Sequence, residues 1–260
     1  MPYLDRAGIH IYYETHGSPS APPLLLTHGY SSTSAMWHGQ IDAFSKLYHL
    51  IIWDMRGHGQ TTYPADPNLY SEAHTVADMF ALLDHIAPNQ QAIVGGLSLG
   101  GYMSLAFYRL YPNRVSKLLI IDTGPGFKSD KAREAWNATA HKTAEGFERN
   151  GLSQLQDLSP ERSTVTHRNA KGLALAARGM LAQRNNAVIM SLENVRVPSV
   201  IIVGSEDKPF LAASEYMNKK IRGSKKVVIE GAGHAANIDR PEEFNRAVLE
   251  FLGSRGKAKL

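Results

Sequence analysis

Ile93-Val94-Gly95-Gly96-Leu97-Ser98-Leu99-Gly100-Gly101 is the stretch whose reading decides the fold. A short apolar run of strand character ends in Gly96-Leu97-Ser98-Leu99-Gly100, which has the spacing G-x-S-x-G, and an amphipathic helical pattern begins at once with Leu99. A serine on so tight a strand-to-helix turn is forced into an unusual backbone conformation. Glycines two before and two after it let neighbouring chain approach without Cβ clashes. The hydroxyl then stands above the sheet at the positive end of the following helix, where a developing oxyanion is favoured. Taken alone, the pentapeptide is equally a glycine-rich turn that only packs a helix on a sheet. Its flanking strand and the groups described next favour a nucleophile.

Working outward, apolar, β-branched runs of strand length recur at Ile9–Tyr13, Leu24–Thr27, Leu50–Trp53, Ala92–Gly95, Lys117–Ile121, Val200–Val203 and Lys226–Ile229. Several are apolar throughout, as expected of parallel strands buried on both faces, whereas the opening segments alternate and predict an antiparallel edge hairpin turning at Ala7-Gly8. Helical patterns lie between them at Ala73–Ile86, Leu99–Leu110, Leu211–Ile221 and Pro241–Leu252. Strands alternating with helices imply an α/β, doubly wound, mostly parallel sheet. From Gly124 to Leu192 the alternation stops, and helical segments around Ala132–Asn150 and Asn169–Asn185 predict a cap inserted after the Lys117–Ile121 strand.

A serine hydroxyl is a weak nucleophile at neutral pH and needs a base, which in turn needs a group that fixes its tautomer. Gly231-Ala232-Gly233-His234 follows the Lys226–Ile229 strand, and its small residues let a loop carry His234 back over the sheet. Asp207, in Gly204-Ser205-Glu206-Asp207-Lys208-Pro209, follows the Val200–Val203 strand at the end where open α/β sheets place their ligands. Ser98, Asp207 and His234 thus occur in the chain order Ser…Asp…His. Glu206 and Asp122 are the rival acids, Glu206 being adjacent and Asp122 following the Lys117–Ile121 strand. For the oxyanion, the backbone N–H groups of Leu99 and Tyr30 are suitable donors. Gly29 allows the loop to turn inward, and the His28 ring is expected to hold that loop in shape.

The 260 residues suit one core with an inserted subdomain, and the 43% hydrophobic and 20% charged content is that of an ordinary globule. No cysteine is present, which excludes disulfides, thiolate catalysis and sulfur-ligated metal sites. Neither a signal-peptide-like run nor about 18 consecutive apolar residues occurs, so a cytoplasmic protein without membrane partners is expected. The net charge of +4 gathers at Lys219, Lys220, Arg222, Lys225 and Lys226 and in the tail from Arg255 to Lys259, and it reads as solvated helix end and terminus rather than a nucleic-acid site.

These segments, together with Asp54-Met55-Arg56-Gly57-His58-Gly59 and Tyr111-Pro112-Asn113-Arg114-Val115, resemble the α/β-hydrolase superfamily over nearly the whole chain. The elbow and the short cap are most similar to small bacterial esterases and 3-oxoadipate enol-lactonases. The resemblance implies an eight-stranded sheet with the cap after strand 6. Residues 1–123 and 193–260 would form the core and 124–192 the cap. It also implies hydrolysis of small-molecule esters or lactones by Ser98, His234 and Asp207 without metal or cofactor, in a monomer or homodimer. C–C bond hydrolases and cofactor-free perhydrolases carry similar elbows, and a slowly turning-over, ligand-binding member of the fold is a further alternative. In some relatives the acid occupies the position of Asp122. Asp54 and Arg56 are expected to brace loops. Trp136, Phe147, Met180 and Leu181 are either pocket lining or the core of the cap.

Overall fold

The computed structural model describes residues 2–156, 158–163 and 165–253. The eight strands are β1 (Tyr3–Arg6), β2 (Ile9–His16), β3 (Pro23–Thr27), β4 (His49–Trp53), β5 (Ala92–Leu97), β6 (Val115–Ile121), β7 (Ser199–Gly204) and β8 (Lys225–Ile229). They form one sheet in the order β1-β2-β4-β3-β5-β6-β7-β8. β2 pairs antiparallel with β1 and with β4, and every later pairing is parallel. Every residue of β3, β4, β5 and β7 is buried, because helices cover both faces of a parallel sheet and only apolar runs tolerate that. The exposed edge strand β1 alternates, and the turn into β2 uses Ala7 and Gly8, both at positive φ.

The helices are α1 (Ile41–Phe44), α2 (Glu72–Ile86), α3 (Leu99–Leu110), α4 (Asp130–Asn150), α5 (Pro160–Ser163), α6 (Ala170–Ala176), α7 (Ala187–Ser191), α8 (Lys208–Lys220), α9 (Ala236–Asp239) and α10 (Pro241–Gly253). One apolar cluster, with Val94, Met103 and Phe107, fills the sheet face beneath α2 and α3. The other, with Trp37, Leu119 and Phe244, fills the opposite face beneath α1 and α10. Because β3 lies between β4 and β5, the chain leaves it towards one side of the sheet and returns on the other. A crevice opens where the C-terminal ends of β3 and β5 meet, which is the site position of doubly wound sheets.

Two predicted helices differ in extent. α8 begins at Lys208 rather than Leu211, since Pro209 sits comfortably in a first turn that needs no N–H there. The segment expected to be helical to Asn185 ends as a π-turn at Ala177–Leu181. Tertiary hydrogen bonds capture the chain at that point: Trp136 Nε1 donates to Leu181 O at 2.9 Å, and the Asn137 carboxamide binds both Gln183 O and Gln183 N. Between β6 and β7 the described residues contain no strand, and α7 packs on α3. The lysines near α8 are paired, Lys220 with Glu193 at 2.7 Å and Lys226 and Lys219 with Glu215. The basic tail Arg255–Lys259 lies outside the described residues. Among those described, no helix is long and apolar enough to cross a membrane.

A Cβ on Gly100 would lie 2.2 Å from Thr27 O and 2.6 Å from His28 O, both of them backbone atoms. Alanine in a helix interior ordinarily gains about 1 kcal/mol over glycine. Gly100→Ala is instead expected to destabilise by about 2 kcal/mol or more, lowering the thermal midpoint by roughly 5 °C or more. A midpoint equal to or above that of the parent in a thermal denaturation scan would contradict this close packing.

Candidate active site

Ser98 stands at φ 55° and ψ −118° as the N-cap of α3. A non-glycine residue in such a conformation costs of order 1–3 kcal/mol and must be held by its surroundings. The hold is visible: Ser98 N donates to Ile121 O at 2.9 Å, and Thr123 Oγ1 donates to Ser98 O at 2.6 Å. Glycine is required on either side, since a Cβ on Gly96 would lie 2.5 Å from the Gly100 carbonyl carbon and 2.6 Å from Thr27 O.

His234 donates from Nδ1 to Asp207 Oδ2 at 2.9 Å, which leaves Nε2 without a proton and able to accept one. Asp207 is buried, and the His234 ring stacks on Phe210 with centroids 5.0 Å apart and planes inclined by 25°. Ser98, Asp207 and His234 line one cavity. Of the rival acids, Glu206 is exposed. Asp122 is buried, at φ 44°, and accepts from Gly204 N at 2.8 Å and Ala236 N at 3.3 Å. It thereby ties together the two loops that carry Asp207 and His234. Burial first, and the nearby Asp207 charge in addition, outweigh these N–H groups and push the Asp122 carboxyl well above the usual carboxylate range.

The loop after β3 reaches the elbow from the other side, and a Cβ on Gly29 would lie 3.5 Å from Ser98 Cβ. Its later amides are engaged, Ser31 N with His58 Nε2 at 3.1 Å and Ser32 N with Gly29 O at 3.2 Å. Among the described residues the Tyr30 and Leu99 N–H groups have no acceptor.

Three buried histidines shape this loop. His28 Nε2 accepts from Met55 N, so Nδ1 carries the hydrogen and donates to Gly29 O at 2.7 Å. His58 accepts the Ser31 amide and donates from Nδ1 to Arg56 O at 3.0 Å. His167, from the segment between α5 and α6, accepts from Gly59 N and donates from Nε2 to Ser31 O at 3.1 Å. The rings are in contact, with centroids 5.0 Å apart for His28 and His58 and 5.8 Å for His58 and His167. Burial lowers all three, His28 to about 3, His167 to about 4 and His58 well below its ordinary value. A charge on any one of the three would also repel the others. Each ring is therefore neutral, accepting one backbone N–H and donating to one backbone carbonyl.

Asp54 and Arg56 brace loops, as their positions suggested. Asp54 accepts from Ser34 N at 2.7 Å and Gln60 N at 2.8 Å, while Arg56 pairs with the buried Asp78.

Two chambers meet at Ser98. The smaller, about 180 Å³, is lined by Tyr102, Phe127, Trp136, Leu181, Phe210 and Gln183 among others. The larger, about 460 Å³, contains His234 and Asp207 and is more polar, with Thr139, Thr143, Gln154, Glu161 and Arg162 in its walls. Trp136 and Leu181 line both chambers and Phe147 the larger one, whereas Met180 is packed in the core. The segment Asp54–Gly59 contains His58, but nothing in the sequence assigns that ring a role, and His167, Phe210, Thr123 and Gln183 stand in no motif. The positions of all five depend on contacts between distant segments.

A family model described as alpha/beta hydrolase fold matches residues 22–186. The chain is 27% identical to a putative 2-succinyl-6-hydroxy-2,4-cyclohexadiene-1-carboxylate synthase of Bacillus subtilis, over 95% of this chain and 96% of that protein. It is likewise 27% identical to 3-oxoadipate enol-lactonase 2 of Acinetobacter baylyi, over 94% of each. Among solved structures, a thermophilic esterase from Thermogutta terrifontis superposes with a TM-score of 0.80 at 27% identity, covering 96% of both chains.

The neutral histidines set a pH dependence. Their folded pKa values lie below the unfolded value of about 6.5, so below that pH the unfolded chain binds protons that the folded rings refuse. Their contribution to stability is fully present above about pH 6.5 and is lost as pH falls towards the values of about 4 for His167 and about 3 for His28. Each ring adds a slope of up to about 1.4 kcal/mol per pH unit. Burial raises Asp54 and Asp122, which act in the opposite sense, so the difference between a variant and the parent isolates one ring. Urea unfolding at pH 7, 6 and 5 should show a shallower loss of stability for His167→Gln than for the parent. Parallel curves would contradict a neutral His167.

Proposed function

The chain belongs to the α/β-hydrolase fold family, and from that premise we propose that it hydrolyses small carboxylic esters or lactones through an acyl-enzyme, with Ser98 as nucleophile, His234 as general base and acid, and Asp207 as the acid that orients it. One observation carries the reading: the His234 Nδ1 to Asp207 bond of 2.9 Å leaves Nε2 basic in the same cavity as a serine held on a strained elbow. Relatives named enol-lactonase and esterase support the substrate class.

In this mechanism His234 Nε2 takes the Ser98 proton as Oγ attacks the carbonyl carbon. The oxyanion receives hydrogen bonds from Tyr30 N–H and Leu99 N–H, donors already oriented before reaction and worth about 3 kcal/mol each in comparable sites. His234 then gives its proton to the departing alkoxide. Water, deprotonated by the same ring, frees the acid and regenerates the serine. The carboxylate of Asp207 stabilises the imidazolium that forms in each step. His28 and Gly29 support the oxyanion loop, and residues 124–192 act as a cap, with Trp136, Thr139, Thr143 and Phe147 of α4 forming part of the cavity wall.

With p-nitrophenyl acetate as substrate, Ser98→Ala should lower kcat by about 10⁴-fold or more, and undiminished turnover would defeat the proposal. Asp207→Asn should cost about 10³–10⁴ in kcat because the tautomer is no longer enforced. Asp122→Asn should act differently. It replaces an acceptor of two backbone N–H groups and is expected to lower stability by about 1–3 kcal/mol with a much smaller effect on kcat. The reverse ranking in kcat would transfer the acid's role to Asp122.

A further inference from the structure

The first turn of α8 holds His234 from two sides. Asp207 is the N-cap residue of this helix, a position where an Asp side chain ordinarily accepts a backbone N–H of the first turn. Here the carboxylate makes no such bond and binds His234 Nδ1 instead. Three residues on, Phe210 lies against the same imidazole. Phe210 N donates to Asp207 O at 2.9 Å, which ties both residues to one short piece of backbone, and Pro209 between them fixes φ in a turn that needs no N–H there. One helical turn thus presents a carboxylate to the edge of the imidazole and a phenyl ring to its face.

The two rings are close to parallel, with centroids 5.0 Å apart and planes inclined by 25°. A single hydrogen bond at Nδ1 fixes one atom of the imidazole and leaves the ring free to turn about that bond. Contact across the face removes this freedom and so fixes where Nε2 points, the kind of orientation on which proton transfer depends. The stack acts on charge as well. The face of an aromatic ring carries negative charge density, and a cation within about 6 Å of its centroid is attracted to it. In the mechanism above His234 becomes an imidazolium only as it takes the Ser98 proton. An attraction that exists only in the charged state lowers the barrier and leaves substrate binding alone. Phe210 also lines both chambers, and a Cβ on Gly124 would lie 3.8 Å from its Cδ1 and Cε1, so the ring reaches from the imidazole to the loop after β6.

We propose that Phe210 is a positioning residue for the reaction, orienting the His234 imidazole together with Asp207 and stabilising the imidazolium that forms during acyl transfer. The inference rests on the roles of Ser98 and His234 given above.

Turnover of p-nitrophenyl acetate by variants at position 210 tests it. Phe210→Leu keeps an apolar side chain and removes the aromatic face. It should lower kcat by about three- to thirtyfold while changing KM by less than about twofold, and Phe210→Tyr should recover most of the loss. Replacing Phe210 by 3,5-difluorophenylalanine keeps the shape of the ring and withdraws electron density from its face. That variant should fall between the parent and Phe210→Leu in kcat, with a thermal midpoint equal to that of the parent. A kcat for Phe210→Leu equal to the parent's, or a loss that appears in KM alone, overturns the positioning role. A fluorinated variant with the parent's kcat overturns the stabilisation of the imidazolium. If no ester is cleaved in a Ser98-dependent way, the catalytic reading fails and this one with it. Ser98-dependent cleavage whose kcat is indifferent to residue 210 overturns the role of Phe210 alone.

Discussion

The missing Cβ atoms at Gly96 and Gly100 are the constraint on which the rest of the site depends. They let the Thr27 and His28 carbonyls at the end of β3 lie against the turn that ends β5, at distances where any side chain would collide with backbone. From that contact follow the strained Ser98 backbone, the nearness of the Tyr30 and Leu99 amides, and the crevice in which both chambers open. The strain is held by ordinary means, a strand-like bond from Ser98 N to Ile121 O and a hydroxyl bond from Thr123, so the Ser98 backbone is anchored by β6 as well as β5.

Around this contact the polar interior is arranged to keep charge out. His58 touches both His28 and His167, and all three remain neutral, each fixed in one tautomer by a backbone donor and a backbone acceptor. In effect they are shaped, hydrogen-bonding spacers that satisfy the irregular backbone of two loops where no sheet ladder reaches. His167 extends the arrangement to the segment between α5 and α6, so the loop after β3 and the helical segments between β6 and β7 are joined through Ser31 O rather than only by apolar packing. Tyr30 OH, which donates to Leu173 O at 2.8 Å, makes a second such joint. Asp122 does for the Asp207 and His234 loops what the histidines do for the loop after β3, holding two chain segments by their amides.

Much of this was legible from sequence because it is written in local chemistry. Fully apolar runs announced the buried parallel strands. Gly-x-Ser-x-Gly between a strand and a helix announced the elbow. The places of Asp207 and His234 at strand ends, in a particular order, singled out two residues that the fold brings into hydrogen-bond contact. The insertion was less legible. Asn169–Asn185 has the pattern of one helix, yet the chain leaves the helix at Leu181 because Trp136 and Asn137, more than forty positions earlier, bind its carbonyls and amide. Met180 and Leu181 are neighbours of similar hydrophobicity, and one is core while the other lines both chambers. No period distinguishes them, since the π-turn changes the direction in which successive side chains point.

By itself, then, the sequence determined the class of fold and offered Ser98, His234 and an acid at a strand end as candidates for the site, because backbone strain, burial and the need for a proton acceptor constrain residue type within a few positions of each strand end. Which carboxylate meets the histidine, which histidines stay neutral inside, and how the cavity divides into an aromatic chamber and a polar one were decided only in three dimensions. Those properties belong to distances between segments far apart in the chain, and hydrogen bonding, burial and electrostatic repulsion act on distance rather than on order.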